Sequence, residues 1–106
     1  MNKLLIVRAD DSIESQSLSY ADFTDKLSSS IAQYDITDTL TMWVTTNDES
    51  AGYNSVANSA YADHRGMNDS FFYGEVIFTG KSTPSRVYEL DADAEALVMN
   101  YAKKEN

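Results

Sequence analysis

Thr39-Leu40-Thr41-Met42-Trp43-Val44-Thr45-Thr46 decides the class of fold. Leu40, Met42 and Val44 alternate with Thr41, Trp43 and Thr45, and strict period-two alternation in a run rich in threonine, valine and tryptophan predicts a β-strand. Downstream, Phe71-Phe72-Tyr73-Gly74-Glu75-Val76-Ile77-Phe78-Thr79 is the most β-prone segment of the chain, ended by Gly80 and by a turn around Pro84. Gly74 inside it marks a bulge or a close backbone approach. Upstream, Leu4 to Val7 is a short apolar run bounded by Arg8 and the turn-forming Asp10-Asp11-Ser12, which reads as a central strand buried on both faces. Ile13 to Leu18 is placed to pair with it as a hairpin.

Helical spacing fills the intervals. Ser19 followed by Asp22 resembles a capping box, and Tyr20, Phe23, Leu27, Ile31 and Tyr34 recur at three- and four-residue steps, predicting an amphipathic helix of about four turns. Ser28-Ser29-Ser30 lowers its intrinsic propensity, so burial of the aromatic stripe must hold it. After the loop from Asn47 to Gly52, Asn54 or Ser55 can cap a short helix that presents Val56, Ala57, Ala60 and Tyr61 and stops near Gly66. A further strand is expected from Arg86 to Leu90. Asp91 then caps a last helix with Ala94, Leu97, Val98 and Tyr101 on one face, its acids Asp93 and Glu95 early and Lys103 and Lys104 late, in accord with the helix dipole. The order β(β)αβαββα implies one α+β domain over residues 1–106. Its sheet is mixed or antiparallel, of four to five strands, packed with about three helices.

The 106 residues are 42% hydrophobic and 11% aromatic, which excludes a disordered chain. Cysteine is absent, so disulfides and thiol chemistry are excluded together. Four apolar residues near the start are too few for a signal-peptide core or a membrane span, and a cytoplasmic protein is expected. The formal charge is -9, and no basic residue lies between Lys26 and Arg65, where Asp35, Asp38, Asp48, Glu49 and Asp63 all fall. Such a field repels nucleic acid and attracts basic protein grooves. Lys3, Arg8, Lys81, Arg86, Lys103 and Lys104 sit in the terminal segments, so charge is segregated along the chain and one acidic face is expected. Asp35, Asp38, Asp48, Glu49 and Asp63 are the candidate partner-binding charges. Tyr53 and Tyr61, not committed to a core stripe as Tyr20, Tyr34 and Tyr101 are, are the candidate anchors.

Residues that carry chemistry in other proteins read here as ordinary surface. His64 has Asp63, Asp69 and Glu75 near it in sequence, but Asp63-His64-Arg65-Gly66 reads as a solvated helix end, and Arg65 would oppose a cation. Asp10, Asp11 and Glu14 offer oxygens for a hard divalent ion, yet they lack the spacing of a calcium loop and read as a polar turn. No serine lies in a nucleophile elbow, and no glycine-rich phosphate loop is present. Neither metal nor cofactor nor catalysis is expected.

Tyr53-Asn54-Ser55-Val56-Ala57-Asn58-Ser59-Ala60-Tyr61 followed by Phe72-Tyr73-Gly74-Glu75-Val76-Ile77-Phe78-Thr79-Gly80 resembles a group of small phage and plasmid proteins in which an Asn-led helix precedes a Tyr-Gly strand. In length, acidity and opening the chain is also similar to the type II-A anti-CRISPR proteins, inhibitors of the Cas9 nuclease. That family shares no catalytic signature, so the resemblance carries no residue role. It implies direct binding to Cas9, as a nucleic-acid mimic without a cofactor, that interferes with guide RNA loading or with DNA and PAM binding. The alternative is a non-enzymatic regulatory protein of a mobile element that binds another basic partner.

Overall fold

A strand whose side chains are apolar on both sides, as in Leu4-Leu5-Ile6-Val7, is stable only inside a sheet covered on both faces. The computed structural model, which describes residues 1–66 and 71–105, contains that sheet. β1 (Asn2–Val7) pairs with β2 (Ile13–Leu18) on one side and with β5 (Val76–Thr79) on the other. Beyond β5 lie β4 (Leu40–Val44) and then β3 (Ala32–Thr37), giving a five-stranded, wholly antiparallel order β2-β1-β5-β4-β3. β5 is the centre and β1 its neighbour. The fold is the expected α+β, with three helices: α1 (Tyr20–Leu27), α2 (Ser55–Arg65) and α3 (Ala92–Glu105).

Period-two alternation divides the core between the two faces. Leu5, Val7, Leu40, Met42, Val44, Val76 and Phe78 point to the side covered by α2 and α3, where they meet Val56, Ala57, Ala60, Val98 and Tyr101. Leu97 is partly buried beside them. Leu4, Ile6 and Ile77 point the other way, against Phe23 and Leu27 of α1, with Trp43 packed at the margin. Each fully buried large side chain contributes about 1.5–3 kcal/mol, enough for α1, only two turns long, to be held by Phe23 and Leu27. The caps are those read from sequence. Ser19 Oγ accepts from the Asp22 amide at 3.2 Å, Asn54 Oδ1 from Ala57 at 3.0 Å and Asp91 Oδ1 from Ala94 at 2.8 Å.

Three elements differ from the sequence reading, and the observed order is ββαββαβα. The first helix ends at Leu27 and does not reach Tyr34. Ser28 turns its hydroxyl back to the Asp25 carbonyl at 2.6 Å, a local bond that competes with helix continuation, and the chain re-enters the sheet as β3. There Ala32, Tyr34 and Ile36 alternate with Gln33 and Asp35, so a period of two overrides the period of three to four that Ile31 and Tyr34 suggested.

The expected strand over 71–79 begins only at Val76. Before it, the backbone is satisfied by side chains: Asn58 receives the Phe72 amide at 3.0 Å and donates to the Phe72 carbonyl at 3.0 Å, while Asn54 Nδ2 donates to the Gly74 carbonyl at 2.8 Å. The expected strand from Arg86 to Leu90 is not part of the sheet proper. Its residues run back along 80–83 through Tyr88 to Lys81 and Gly80 to Tyr88 bonds, and Leu90 donates to Lys3 beside β1, where β5 has already ended. Gly80 is required at that crossing, since a Cβ there would lie 2.2 Å from the Glu89 carbonyl oxygen. Asp69 lies outside the described residues, as does the Lys104 side chain. Among the described residues no helix is long and apolar enough to cross a membrane.

Candidate functional site

The antiparallel register brings the end of β1, the start of β2, the end of β4 and the start of β5 to one end of the sheet, where Val7 faces both Ile13 and Val76, and Val76 faces Val44. Connections over residues 8–12, 45–54 and 71–75 emerge there, as does the turn from α1 into β3, whose Ala32 faces Val44. The first three are knitted by polar contacts: Ser55 Oγ donates to Asp11 Oδ1 at 2.7 Å, Thr45 Oγ1 to the Glu75 carbonyl at 2.6 Å and the Gly74 amide to the Gly52 carbonyl at 2.8 Å. Asn54, wholly buried, is the hub. Its Nδ2 donates to both Val7 and Gly74 carbonyls, at 3.1 and 2.8 Å, while its Oδ1 caps α2. Gly74 has φ +68°, and a Cβ there would lie 2.6 Å from Thr46 Cγ2, so what comes close to this glycine is a side chain of the neighbouring loop.

This loop end carries Asp10, Asp11, Glu14, Asp48, Glu49 and Glu75. Arg8 is spent among them, 2.7 Å from Glu14 and 3.6 Å from Glu75. Arg8, then Gln16, hold the Glu14 carboxyl below its usual range, and bonds from Ser12 do the same for Asp10. Asp48 accepts the Ser50 amide at 2.9 Å and the Ser50 hydroxyl at 2.8 Å, which lowers its carboxyl too and caps a short 3₁₀ turn over Glu49–Ala51. Burial first, then the neighbouring Glu49 carboxylate, raise the Tyr73 phenol. Tyr53 bridges to Tyr73 through the backbone, and its ring stands edge-on to Phe71 with centroids 5.5 Å apart. Both rings are open to solvent, Tyr53 at 49% and Phe71 at 59%.

The other sequence candidates are elsewhere. Asp38 precedes β4 and Asp48 follows it, so the length of that strand, about 17 Å, separates them. Asp35 and Asp38 line a cavity of about 280 Å³ with Thr41, His64, Arg65 and Lys81, so carboxylates and cations are mixed at that end. Asp63, at the C-terminal end of α2, accepts from the Tyr101 hydroxyl at 2.5 Å. Burial, then this bond, push the Tyr101 phenol well above the ordinary range. Tyr61 is half-buried, its ring edge-on to Tyr34 at 5.6 Å and tilted on Phe72 at 5.2 Å, a packing position between the two ends.

Of the seven candidate residues, the fold thus gathers Asp48, Glu49 and Tyr53 at the loop end and sets Asp35, Asp38 and Asp63 at the opposite one. Sequence reading passed over Asp10, Asp11, Glu14 and Glu75 as members of the same surface, and Phe71 as the partner of Tyr53. Hairpin pairing of β1 with β2 was the available signal for the first three. Among the described residues no group of three or more His, Asp or Glu side chains is set to hold a metal ion. Asp10, Asp11 and Glu14 diverge to Ser12, Ser55 and Arg8. Compared with family models, curated proteins and solved structures, the chain matches none of them.

Proposed function

We propose that the chain acts by binding, stoichiometrically and without a cofactor, and that its loop end occupies a basic groove of a nucleic-acid-binding protein. The observation that carries this reading is the union, at one end of the sheet, of five carboxylates on three interlocked loops, a sixth, Glu14, beside them on β2, and an exposed aromatic pair. Carboxylates spaced over a surface repel nucleic acid and steer a basic protein into encounter, while desolvated aromatics supply most of the energy that holds a complex. Asp48, Glu49 and Tyr53 of the sequence candidates belong to this surface; Asp35 and Asp38 stand among cations, Asp63 is bonded by Tyr101, and all three contribute less to it.

The resemblance to type II-A anti-CRISPR proteins names Cas9 as the partner, and its guide-accepting channel as a groove of the required sign. The test is order of addition in a Cas9 cleavage reaction. Stronger inhibition when the protein meets Cas9 before the guide RNA supports competition for the channel; equal inhibition in both orders supports blockade of DNA or PAM binding. Absence of inhibition in either order removes Cas9 and leaves another basic partner. Inhibition that needs Mg²⁺, or a cut guide accumulating under substoichiometric protein, would replace binding with catalysis.

A further inference from the structure

Among the described residues, one aromatic platform is already occupied. The Arg86 guanidinium lies 4.6 Å from the centre of the Tyr20 ring and 5.5 Å from that of Tyr88. Tyr53 and Phe71 form a second, exposed aromatic pair, with the carboxylates of Asp48 and Glu49 close in sequence and Glu75 following on the same segment. Among the described residues no arginine or lysine lies over either ring, and Arg8, the basic residue of the loop end, is engaged by Glu14 and Glu75. The Tyr53–Phe71 pair offers ring faces of the same negative character as those under Arg86, adjoins acidic residues in the chain, and among the described residues holds no cation.

We infer that Tyr53 and Phe71 are a docking site for an arginine side chain of the basic partner, and that the surface selects arginine over lysine. The inference rests on the proposed binding of a basic protein and adds to it which cation is read. A guanidinium is planar and weakly hydrated, so it stacks on an aromatic face and still offers N–H groups in its plane to a carboxylate at the rim. An ammonium is a strongly hydrated point charge, which the carboxylates attract but which gains less on the rings. Charge complementarity thus decides that the occupant is basic, and the exposed rings decide that it is arginine.

The experiment compares hexa-arginine and hexalysine, equal in charge, by amide chemical-shift titration of the whole protein at low salt. The wild type is expected to bind the arginine peptide at least about fivefold more tightly, with shifts centred on Gly52 to Asn54 and Phe71 to Gly74. The double variant Tyr53→Leu, Phe71→Leu keeps apolar cover but has no π face, and is expected to bind the two peptides equally. Glu49→Gln with Glu75→Gln is expected to weaken both peptides alike and to leave the ratio unchanged. Equal binding of the two peptides by the wild type would overturn the arginine claim while the basic-partner reading stands; binding of neither would overturn both. A dimer that forms in the wild type and dissociates in the leucine variant would assign the platform to a second copy and overturn the inference.

Discussion

Replacing Asn54 by alanine removes three hydrogen bonds at one wholly buried position: Nδ2 to Val7 and Gly74, and the Ala57 amide to Oδ1. At a net contribution of about 1 kcal/mol each, with a further penalty for polar groups left buried and unpaired, Asn54→Ala should destabilise the fold by about 3–4 kcal/mol. That is a large share of the 5–15 kcal/mol typical of a domain, roughly. Equilibrium urea unfolding followed by tryptophan fluorescence measures it through Trp43. Asn54→Asp separates the parts, since it retains the acceptor that caps α2 but loses both donors and buries a charge. It should be at least as destabilised at pH 7 and recover partly in acid, where the protonated carboxyl can donate one bond. A loss below about 1 kcal/mol in Asn54→Ala would refute the argument that this side chain holds the three loops together.

Gly74→Ala combines φ +68° with a Cβ 2.6 Å from Thr46 Cγ2, and a thermal melt should register a loss of about 1–3 kcal/mol; Gly66→Ala, at φ +88° with nothing within 4 Å, should cost about 1 kcal/mol. Tyr101 is raised by burial and by Asp63, so below pH of about 10 both folded and unfolded chains keep its proton, and above it only the unfolded chain loses it. Stability should therefore fall as pH rises through the alkaline range, and Tyr101→Phe should lose about 1 kcal/mol at neutral pH together with most of that dependence. Asp10, Glu14 and Asp48 are lowered, so their contribution is present above pH of about 4 and is lost as pH falls below it, which urea midpoints at pH 7 and pH 3 would register. His64→Ala should leave partner binding unchanged, as should EDTA, in a pull-down with Cas9.

Where one local rule governed a segment, the sequence was enough. Leu4 to Val7, Leu40 to Val44 and the capped starts of α1, α2 and α3 follow from alternation and from a polar residue before an apolar stripe. Where two rules competed, it was not. Ile31 and Tyr34 satisfy a helical stripe and Ala32, Tyr34 and Ile36 a strand, and the Ser28 hydroxyl that decides between them acts through a bond of local geometry. Phe71 to Glu75 has strand composition, but Asn54 and Asn58 take its backbone partners from a helix remote in sequence. The candidate surface was half legible for the same reason. Counting charge along the chain found Asp48 and Glu49, while the sheet register that adds Asp10, Glu14 and Glu75, and carries Asp35 and Asp38 to the far end, is a property of pairing.

The most direct test is the association rate with guide-free Cas9 of two charge-reversed proteins. One carries Asp10→Lys, Glu49→Lys and Glu75→Lys at the loop end; the other carries Asp35→Lys and Asp38→Lys at the opposite end. Reversal at the loop end should slow association by at least about tenfold and flatten its dependence on salt, because exposed charges steer encounter within a screening length of about 10 Å. Reversal at the opposite end should change the rate by less than about threefold on the same grounds. Unchanged association in the first protein, with the fold intact, or a larger effect in the second, would contradict the account.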